Sequence, residues 1–345
     1  MRTAVVGAGV IGLSTAYALL RHGSEAICFD TGRPMAARST GSSRIFRLAH
    51  GVPGLVSYAA AAREWWADWS HRAGTRLLGS QGLVVTGDLA KDWAAAMAAA
   101  DAEHTLVDDT DSLDLPIRSV PGPALVDPSG GVIDAAATGR FLRAAVGDRV
   151  RSAHVHRIEV RDDEVIVHAS DGRHSVDRVV VAAGRGTMEL AAQVGVYLPT
   201  ELAHHARFTF RLKDPDASPP CWIDRTEDWR PGVTSYQQLS GRGRWSIGMA
   251  FGADEVAWQR GRNTVVRESR ELVTEYVREA LPGVDEEIVE EIYCDYPPCL
   301  GDGVHTATTG PVTVIWGDNL FKHAPAVGES LATAAVNEVT PHIPG

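Results

Sequence analysis

Thr3-Ala4-Val5-Val6-Gly7-Ala8-Gly9-Val10-Ile11-Gly12 opens the chain with an apolar run that turns through three glycines at G-x-G-x-x-G spacing. An apolar helical stretch follows, and then Glu25-Ala26-Ile27-Cys28-Phe29-Asp30, a second strand ending in an acid. Each part has a task. Gly7 allows the tight turn, Gly9 admits a pyrophosphate to the backbone, and Gly12 lets the helix pack closely on the sheet. The helix N-terminus offers free N–H groups and its positive dipole end to the phosphates. Asp30, 23 residues beyond Gly7, is placed to accept hydrogen bonds from an adenosine ribose. A lone glycine fingerprint is weak. Strand, helix and acid in sequence are what favour a dinucleotide site over a glycine-rich turn of another α/β domain.

The 345 residues suffice for two packed domains with sizeable cores. The 44% hydrophobic content is ordinary for a globular chain. A formal net charge of −11, from 33 basic and 44 acidic residues with no basic run, makes nucleic acid and anionic membrane poor partners. No stretch reaches the roughly 18 unbroken apolar residues of a membrane span. The nucleotide fold starts at residue 3 and leaves no room for a leader, so a cytoplasmic location is expected. Cys28, Cys221, Cys294 and Cys299 are too scattered for a disulfide framework and lack zinc spacing, so no metal is expected.

Beyond Asp30 lies a polar segment, Arg38-Ser39-Thr40-Gly41-Ser42-Ser43-Arg44, then a helix over about Leu55 to Ser70 that carries Trp65, Trp66 and Trp69 on one face. Gly82 to Thr86 reads as a strand, Ala135 to Val146 as a helix capped by Asp134, and Val150 to Ala169 as two strands of a hairpin-like excursion. Arg178-Val179-Val180-Val181-Ala182-Ala183-Gly184 reads as a strand buried on both faces, whose small Ala183-Gly184 end lets a ligand approach. Residues 205–252 alternate as strands, as in Arg207-Phe208-Thr209-Phe210-Arg211. His204-His205 lacks any ligand pattern and reads as a strand-edge pair. Asn263 to Leu281 has helical periodicity stopped by Pro282-Gly283; a strand at Val312 to Ile315 and a helix at Ala326 to Val339 close the chain. The fold class expected is α/β plus β. A discontinuous Rossmann-like dinucleotide-binding domain (residues 1–80, 130–199 and 295–345) carries an inserted, mostly antiparallel substrate-binding domain (81–129 and 200–294).

The first glycine turn, the Val179–Gly184 strand and the element Leu320-Phe321-Lys322-His323-Ala324-Pro325-Ala326-Val327-Gly328-Glu329 together resemble the FAD-dependent amine oxidases of the D-amino-acid-oxidase superfamily. Within it the chain most resembles the monomeric sarcosine oxidase and glycine oxidase branch, over nearly its whole length. The resemblance implies FAD as cofactor, held by Gly7, Gly9, Gly12, Asp30, Ser43, Arg44, Ala183, Gly184, Cys294, Leu320, Phe321 and Lys322. In Ser43-Arg44-Ile45-Phe46-Arg47 it implies that Arg44 lies against the flavin ring and Arg47 binds the substrate carboxylate, a task that suits a planar guanidinium. Lys322 would be the other carboxylate clamp, ahead of a helix whose N-terminus faces the flavin pyrimidine. His323 reads as packing or solvent-facing.

Cys294-Asp295-Tyr296 matches a C-x-Y segment that carries the flavin through an 8α-thioether, with Tyr296 in the substrate cavity. The threonines that follow in the family are replaced by Pro297-Pro298-Cys299, so a buried inert Cys294 is the competing reading. The family's G-F-S-G-H-G run becomes Ile315-Trp316-Gly317-Asp318-Asn319-Leu320. Its oxygen-activating lysine falls at Ser246 and a cavity histidine at Ala250, which implies a roomier, less polar pocket.

The activity implied is oxidation of an amino-acid amine, with hydride transfer from the carbon next to nitrogen to flavin N5. A secondary amine of an N-substituted glycine is favoured, including an N-carboxymethyl amino acid of secondary metabolism. Imine hydrolysis then gives amine plus glyoxylate or an aldehyde, and dioxygen becomes H2O2. Arg44, Arg47, Lys322, Tyr296 and Ser246 are the catalytic candidates. A monomer or small homo-oligomer is expected. The alternatives are a flavin dehydrogenase with another acceptor, for which Ser246 argues, and a non-catalytic flavoprotein. An NAD-dependent enzyme would share only the first motif.

Overall fold

The computed structural model describes residues 1–116, 119–199, 201–296 and 303–344. Two compact units emerge: residues 1–40, 137–201 and 297–345, and residues 41–136 and 202–296.

The first unit is built on a six-stranded sheet. Its strands are β1 (Arg2–Val6), β2 (Glu25–Asp30), β8 (Val150–Ser152), β12 (Arg178–Val181), β18 (Val304–Thr309) and β19 (Val312–Gly317). They run in the order β18-β19-β12-β1-β2-β8, parallel throughout except for the β18–β19 pair. Central β1 aligns Val5 with Val180 on one side and Cys28 on the other. Valine and alanine fill these strands because both sheet faces are covered. Helices α1 (Val10–Arg21) and α8 (Ala324–Asn337) approach so closely that a Cβ on Gly328 would lie 2.6 Å from Ser14 Cβ. The short α5 (Thr187–Ala192) contributes Leu190 and Ala191 to the core with Phe29, Val167, Val179, Val181 and Val314. The hairpin expected over residues 150–169 is present as β9 (Val155–Val160) and β10 (Val165–Ala169), with an addition on either side. Strand β8 extends the parallel sheet, while β11 (Gly172–Val176) joins β9 and β10 in a separate antiparallel sheet.

The second unit holds an eight-stranded sheet in the order β17-β13-β16-β15-β14-β4-β6-β5. The strands are β4 (Leu83–Gly87), β5 (Thr105–Asp109), β6 (Pro121–Asp127), β13 (Ala203–Leu212), β14 (Cys221–Arg225), β15 (Thr234–Leu239), β16 (Arg244–Ala250) and β17 (Val284–Tyr296). Every neighbouring pair is antiparallel except β14–β4. The period-2 alternation of β13 sends Ala206, Phe208 and Phe210 to one face, where they pack with Trp222, Trp245 and the Val273, Tyr276 and Val277 side of α7 (Arg262–Ala280). The unit also contains α2 (Pro53–Ala73), α3 (Leu89–Ala99) and α6 (Ala253–Val256); α4 (Ala135–Val146) begins at its boundary.

Helix α2 has Pro53 in its first turn and ends on Gly74 in the left-handed region at φ 64°. Trp66 and Trp69 are buried edge to face, 5.3 Å between centroids, whereas Trp65 is half-buried. Residues 41–80 and 130–136 group with the second unit, not the cofactor unit expected for them. The reason is pairing: β3 (Ser43–Phe46) forms a two-stranded sheet with β7 (Gly131–Asp134), Gly82 N donates to Gly130 O beside β4, and Ser43 Oγ bonds Ser240 Oγ just after β15. His204-His205 is not at a sheet edge, because β13 lies between β17 and β16. No helix among the described residues is long and apolar enough to cross a membrane.

Candidate active site

In the first unit, the glycine turn is shaped by what surrounds it. Gly7, at φ +106°, donates to Phe29 O at 2.7 Å, and a Cβ there would collide with the Ala182 carbonyl. A Cβ on Gly12 would run into the Gly7 carbonyl oxygen. A Cβ on Gly9 would meet only Ser39 Oγ, at 3.3 Å, so the backbone is open at the position where a pyrophosphate must approach. Ser39 Oγ accepts from Val10 N at 2.9 Å at the start of α1. The turn thus fits a dinucleotide.

Asp30 contributes to the turn itself: Oδ2 accepts from Ala8 N at 2.6 Å and Oδ1 from Gly32 N at 2.9 Å. Beneath it, burial and the Asp30 charge push the Cys28 thiol up to about 12, which makes it inert. The end of β12 meets this turn, since a Cβ on Gly7 would lie 2.8 Å from Ala183 Cα; Gly184 is exposed at φ +57°. Arg38 pairs with Asp318 and ties the segment after β2 to the one after β19. Leu320–His323 form a single 3-10 turn into α8, with Phe321, Lys322 and His323 buried. Lys322 Nζ donates to Asn319 O at 3.2 Å, and Asn319 itself is left-handed at φ 54°. His323 is fully buried, so of its two expected settings it takes packing.

In the second unit, strand register assembles one face of the large sheet, the face opposite Phe208 and Phe210. Ser246 pairs with Thr209, Cys294 with His205, and Tyr296 with Ala203, which places the three expected residues on that face. The same register adds four residues the sequence reading did not single out for a role: His205, Arg207, Tyr236 and Gln238. The polar side of the strand alternation in β13 and β15 was their only signal, and it does not say what covers it.

A Cβ on Gly248 would fall on the Tyr236 ring, so the glycine is what lets that ring lie across the strand. The Tyr236 hydroxyl and His205 Nε2 are 2.6 Å apart, and the Tyr296 ring stands edge-on to His205 at 6.0 Å. Gly248→Ala is expected to displace Tyr236, break the His205 bond and destabilise the protein by about 1–3 kcal/mol. A thermal melt checks this, and an unchanged melting temperature would mean that the ring has room to move. Ser246 Oγ accepts from Thr209 Oγ1 at 3.2 Å, and the same Thr209 hydroxyl reaches Glu290 Oε2 at 3.2 Å.

The arginines after β2 separate. Arg44 Nη1 donates to Ser43 O at 2.7 Å, while the buried Ser43 hydroxyl bonds Ser240 Oγ at 3.2 Å. Arg47 is buried with its guanidinium 4.5 Å over the Trp93 ring; its Nη1 bonds the Ala49 carbonyl and lies 3.2 Å from His50 Nδ1. Near it is Asp127, whose Oδ2 accepts from Leu48 N at 2.7 Å and Ala49 N at 3.0 Å. Burial raises the Asp127 pKa, against the pull of those N–H donors and of Arg47. Cys294 is half-buried. Pro297-Pro298-Cys299 lies outside the described residues.

Whether Cys294 carries the flavin is decided by acid denaturation. A yellow pellet, lost in Cys294→Ser, is the expected result for a thioether, and flavin wholly in the supernatant would exclude one.

The family model described as DAO, FAD dependent oxidoreductase, matches residues 2–334. Monomeric sarcosine oxidase of Bacillus sp. (strain B-0618) is 22% identical over 364 residues, which cover 98% of this chain and 93% of that protein. Among solved structures, the open form of NikD, an unusual amino acid oxidase essential for nikkomycin biosynthesis, superposes with a TM-score of 0.85 at 21% identity, covering 99% of this chain and 95% of that one. Glycine oxidase from Geobacillus kaustophilus gives 0.78 at 17% identity, over 99% and 96%.

Proposed function

The chain belongs to the DAO family of FAD-dependent oxidoreductases, and from that premise we propose that it oxidises the amine of an amino acid, favouring the secondary amine of an N-substituted glycine. The observation that carries this reading is the polar sheet face of the second unit. There strand register brings His205, Tyr236 and Ser246 together as hydrogen-bonding groups, with the Tyr296 ring edge-on to His205, a surface suited to a small polar amine. The relatives named for sarcosine, glycine and amino acid oxidation support the same substrate class.

FAD, when bound, would supply a hydride acceptor for the carbon next to nitrogen, and its reoxidation by dioxygen would give H2O2. Gly7, Gly9, Gly12 and the start of α1 would hold its pyrophosphate; Asp30, Ser43, Arg44, Ala183, Gly184 and Leu320–Lys322 would hold the rest, and Cys294 is the residue for a covalent link, which the acid-denaturation test decides. Arg47 and Lys322 hold the substrate carboxylate, Arg47 by its planar fork and Lys322 as a point charge. A carboxylate held at two points orients the substrate, and orientation supplies much of the rate. No protein base is required when the amine binds neutral, because its lone pair drives loss of the hydride. Water then hydrolyses the imine to an amine plus glyoxylate or an aldehyde. An N-carboxymethyl amino acid of secondary metabolism, a cytoplasmic location and a monomer or small homo-oligomer belong to the same proposal.

A second reading has its own observation. Ser246 is a buried neutral hydroxyl already bonded to Thr209, at the position where the resemblance expects an oxygen-activating lysine. That favours a dehydrogenase with another acceptor. One experiment separates the readings: anaerobic bleaching of the flavin by a panel of N-alkyl glycines and primary amino acids, followed by admission of air or of an artificial electron acceptor. Bleaching by amino acids with fast recovery in air supports the oxidase, and recovery only with the dye supports the dehydrogenase. A flavin that no amine bleaches would overturn both.

A further inference from the structure

Among the described residues, no carboxylate forms an ion pair with Arg207. Its side chain is only 5% exposed. Nη1 donates to Ser43 O at 3.1 Å, but Nε and Nη2 are buried with no acceptor. A buried guanidinium with unmade hydrogen bonds costs several kcal/mol. The acid nearest in register on its face, Glu290, stands opposite Thr209 and not opposite Arg207. Its Oε2 is engaged by Thr209 Oγ1 and Ser42 Oγ, each at 3.2 Å. Arg44 adds to the positive potential, since its Nη1 binds the same Ser43 carbonyl that Arg207 uses.

We propose that Arg207 binds a second carboxylate of the substrate, separate from the one assigned to Arg47 and Lys322, so that the preferred substrate is an amino diacid such as an N-carboxymethyl amino acid. The proposal rests on the amino-acid oxidase reading above. Position supports it: Arg207 lies between Gly248 and Ile292 in register, on the face that carries His205, Tyr236 and Ser246. The cover over its free donors is thin. Gly41, at φ +103°, has no Cβ; one built there would sit 3.0 Å from Arg207 Nη2, 3.3 Å from Arg44 Nη1 and 2.6 Å from Ile292 Cδ1. Arginine suits the task because Nε and Nη2 form one edge of the fork and meet a carboxylate with two parallel bonds.

The test uses FAD-loaded protein and two thioether acids that cannot be oxidised as amines: methylthioacetate, with one carboxylate, and thiodiglycolate, with two. Binding is read from perturbation of the flavin visible spectrum. Wild type is expected to bind the diacid at least about tenfold more tightly than the monoacid, the difference of roughly one charge-assisted contact. Arg207→Gln is expected to abolish that preference while leaving the monoacid Kd within about threefold and the FAD content unchanged. Arg207→Lys, which keeps the charge, should restore part of it and decides the matter if the glutamine variant does not fold. Absence of a diacid preference in wild type, its survival in the variants, or an equal loss for both acids would overturn the proposal. Loss of FAD with the diacid preference intact would reassign Arg207 to the cofactor and overturn it as well. If neither acid perturbs the wild-type flavin, the amino-acid reading falls with it, whereas monoacid binding without a diacid preference removes this inference alone.

Discussion

Gly12→Ala is expected to yield a chain without FAD and with a disrupted first unit. The added methyl would have to occupy space held by the Gly7 carbonyl oxygen, and neither partner can rotate away because both are backbone. Gly7 is itself fixed by its bond to Phe29 O. Relief requires α1 to move off β1, which opens the core between them at a cost of several kcal/mol, on the order of 3 or more. Far-UV circular dichroism, a thermal melt and the flavin released by acid measure the outcome.

Gly9→Ala is the informative partner. Its methyl meets only Ser39 Oγ at 3.3 Å, so the chain is expected to fold with a melting temperature close to that of FAD-free wild type yet retain no FAD, because the methyl fills the pyrophosphate position. A yellow Gly9→Ala protein with about one FAD per chain would show that the phosphates lie elsewhere.

Arg47→Ala is expected to lower kcat/KM for amino-acid substrates by about a hundredfold, the loss of two charge-assisted bonds worth on the order of 3 kcal/mol. A substrate amide is the control: it should bind poorly to the wild type and lose little further. FAD content should be unchanged. Normal kinetics on carboxylate substrates would mean that the anion is held by another group.

The geometry adds a stability effect with a pH signature. Arg47 packs on Trp93 and opposes the burial that raises the Asp127 pKa. A carboxyl whose folded pKa is raised stabilises the fold fully below its unfolded pKa, and that contribution is lost as pH rises through the folded value. Removing Arg47 raises the folded pKa further. The melting temperature of Arg47→Ala should therefore trail wild type more at about pH 8 than at about pH 4. A gap that does not depend on pH would mean that Arg47 contributes packing but no charge at Asp127.

Much of the first unit was legible in the sequence because its signals are local. Gly7, Gly9 and Gly12 at fixed spacing, the apolar Val5-Val6 before them and Asp30 after them each act within one strand–turn–helix–strand unit, and the valine run at Val179–Val181 announces a strand buried on both sides. The cofactor class, the mixed architecture and the oxidoreductase chemistry follow from such short-range patterns together with the resemblance they support.

The second unit was less legible. Where residues 41–80 belong depended on β3 pairing with β7, some 85 residues away. Nothing local in Ser43–Phe46 encodes that partner. The setting of Asp30 was likewise invisible, since its carboxylate turns back onto Ala8 N and Gly32 N. The sequence by itself determined the dinucleotide turn and the family's chemistry, because turn geometry and strand burial are set by residues close together along the chain. Only the tertiary structure decided that Arg207, His205 and Tyr236 share a face with Ser246 and Cys294, and that Arg207 Nε and Nη2 are buried without an acceptor among the described residues. Those facts are matters of strand order and register among β15, β16, β13 and β17, and a shift of one residue in any pairing would turn the face over.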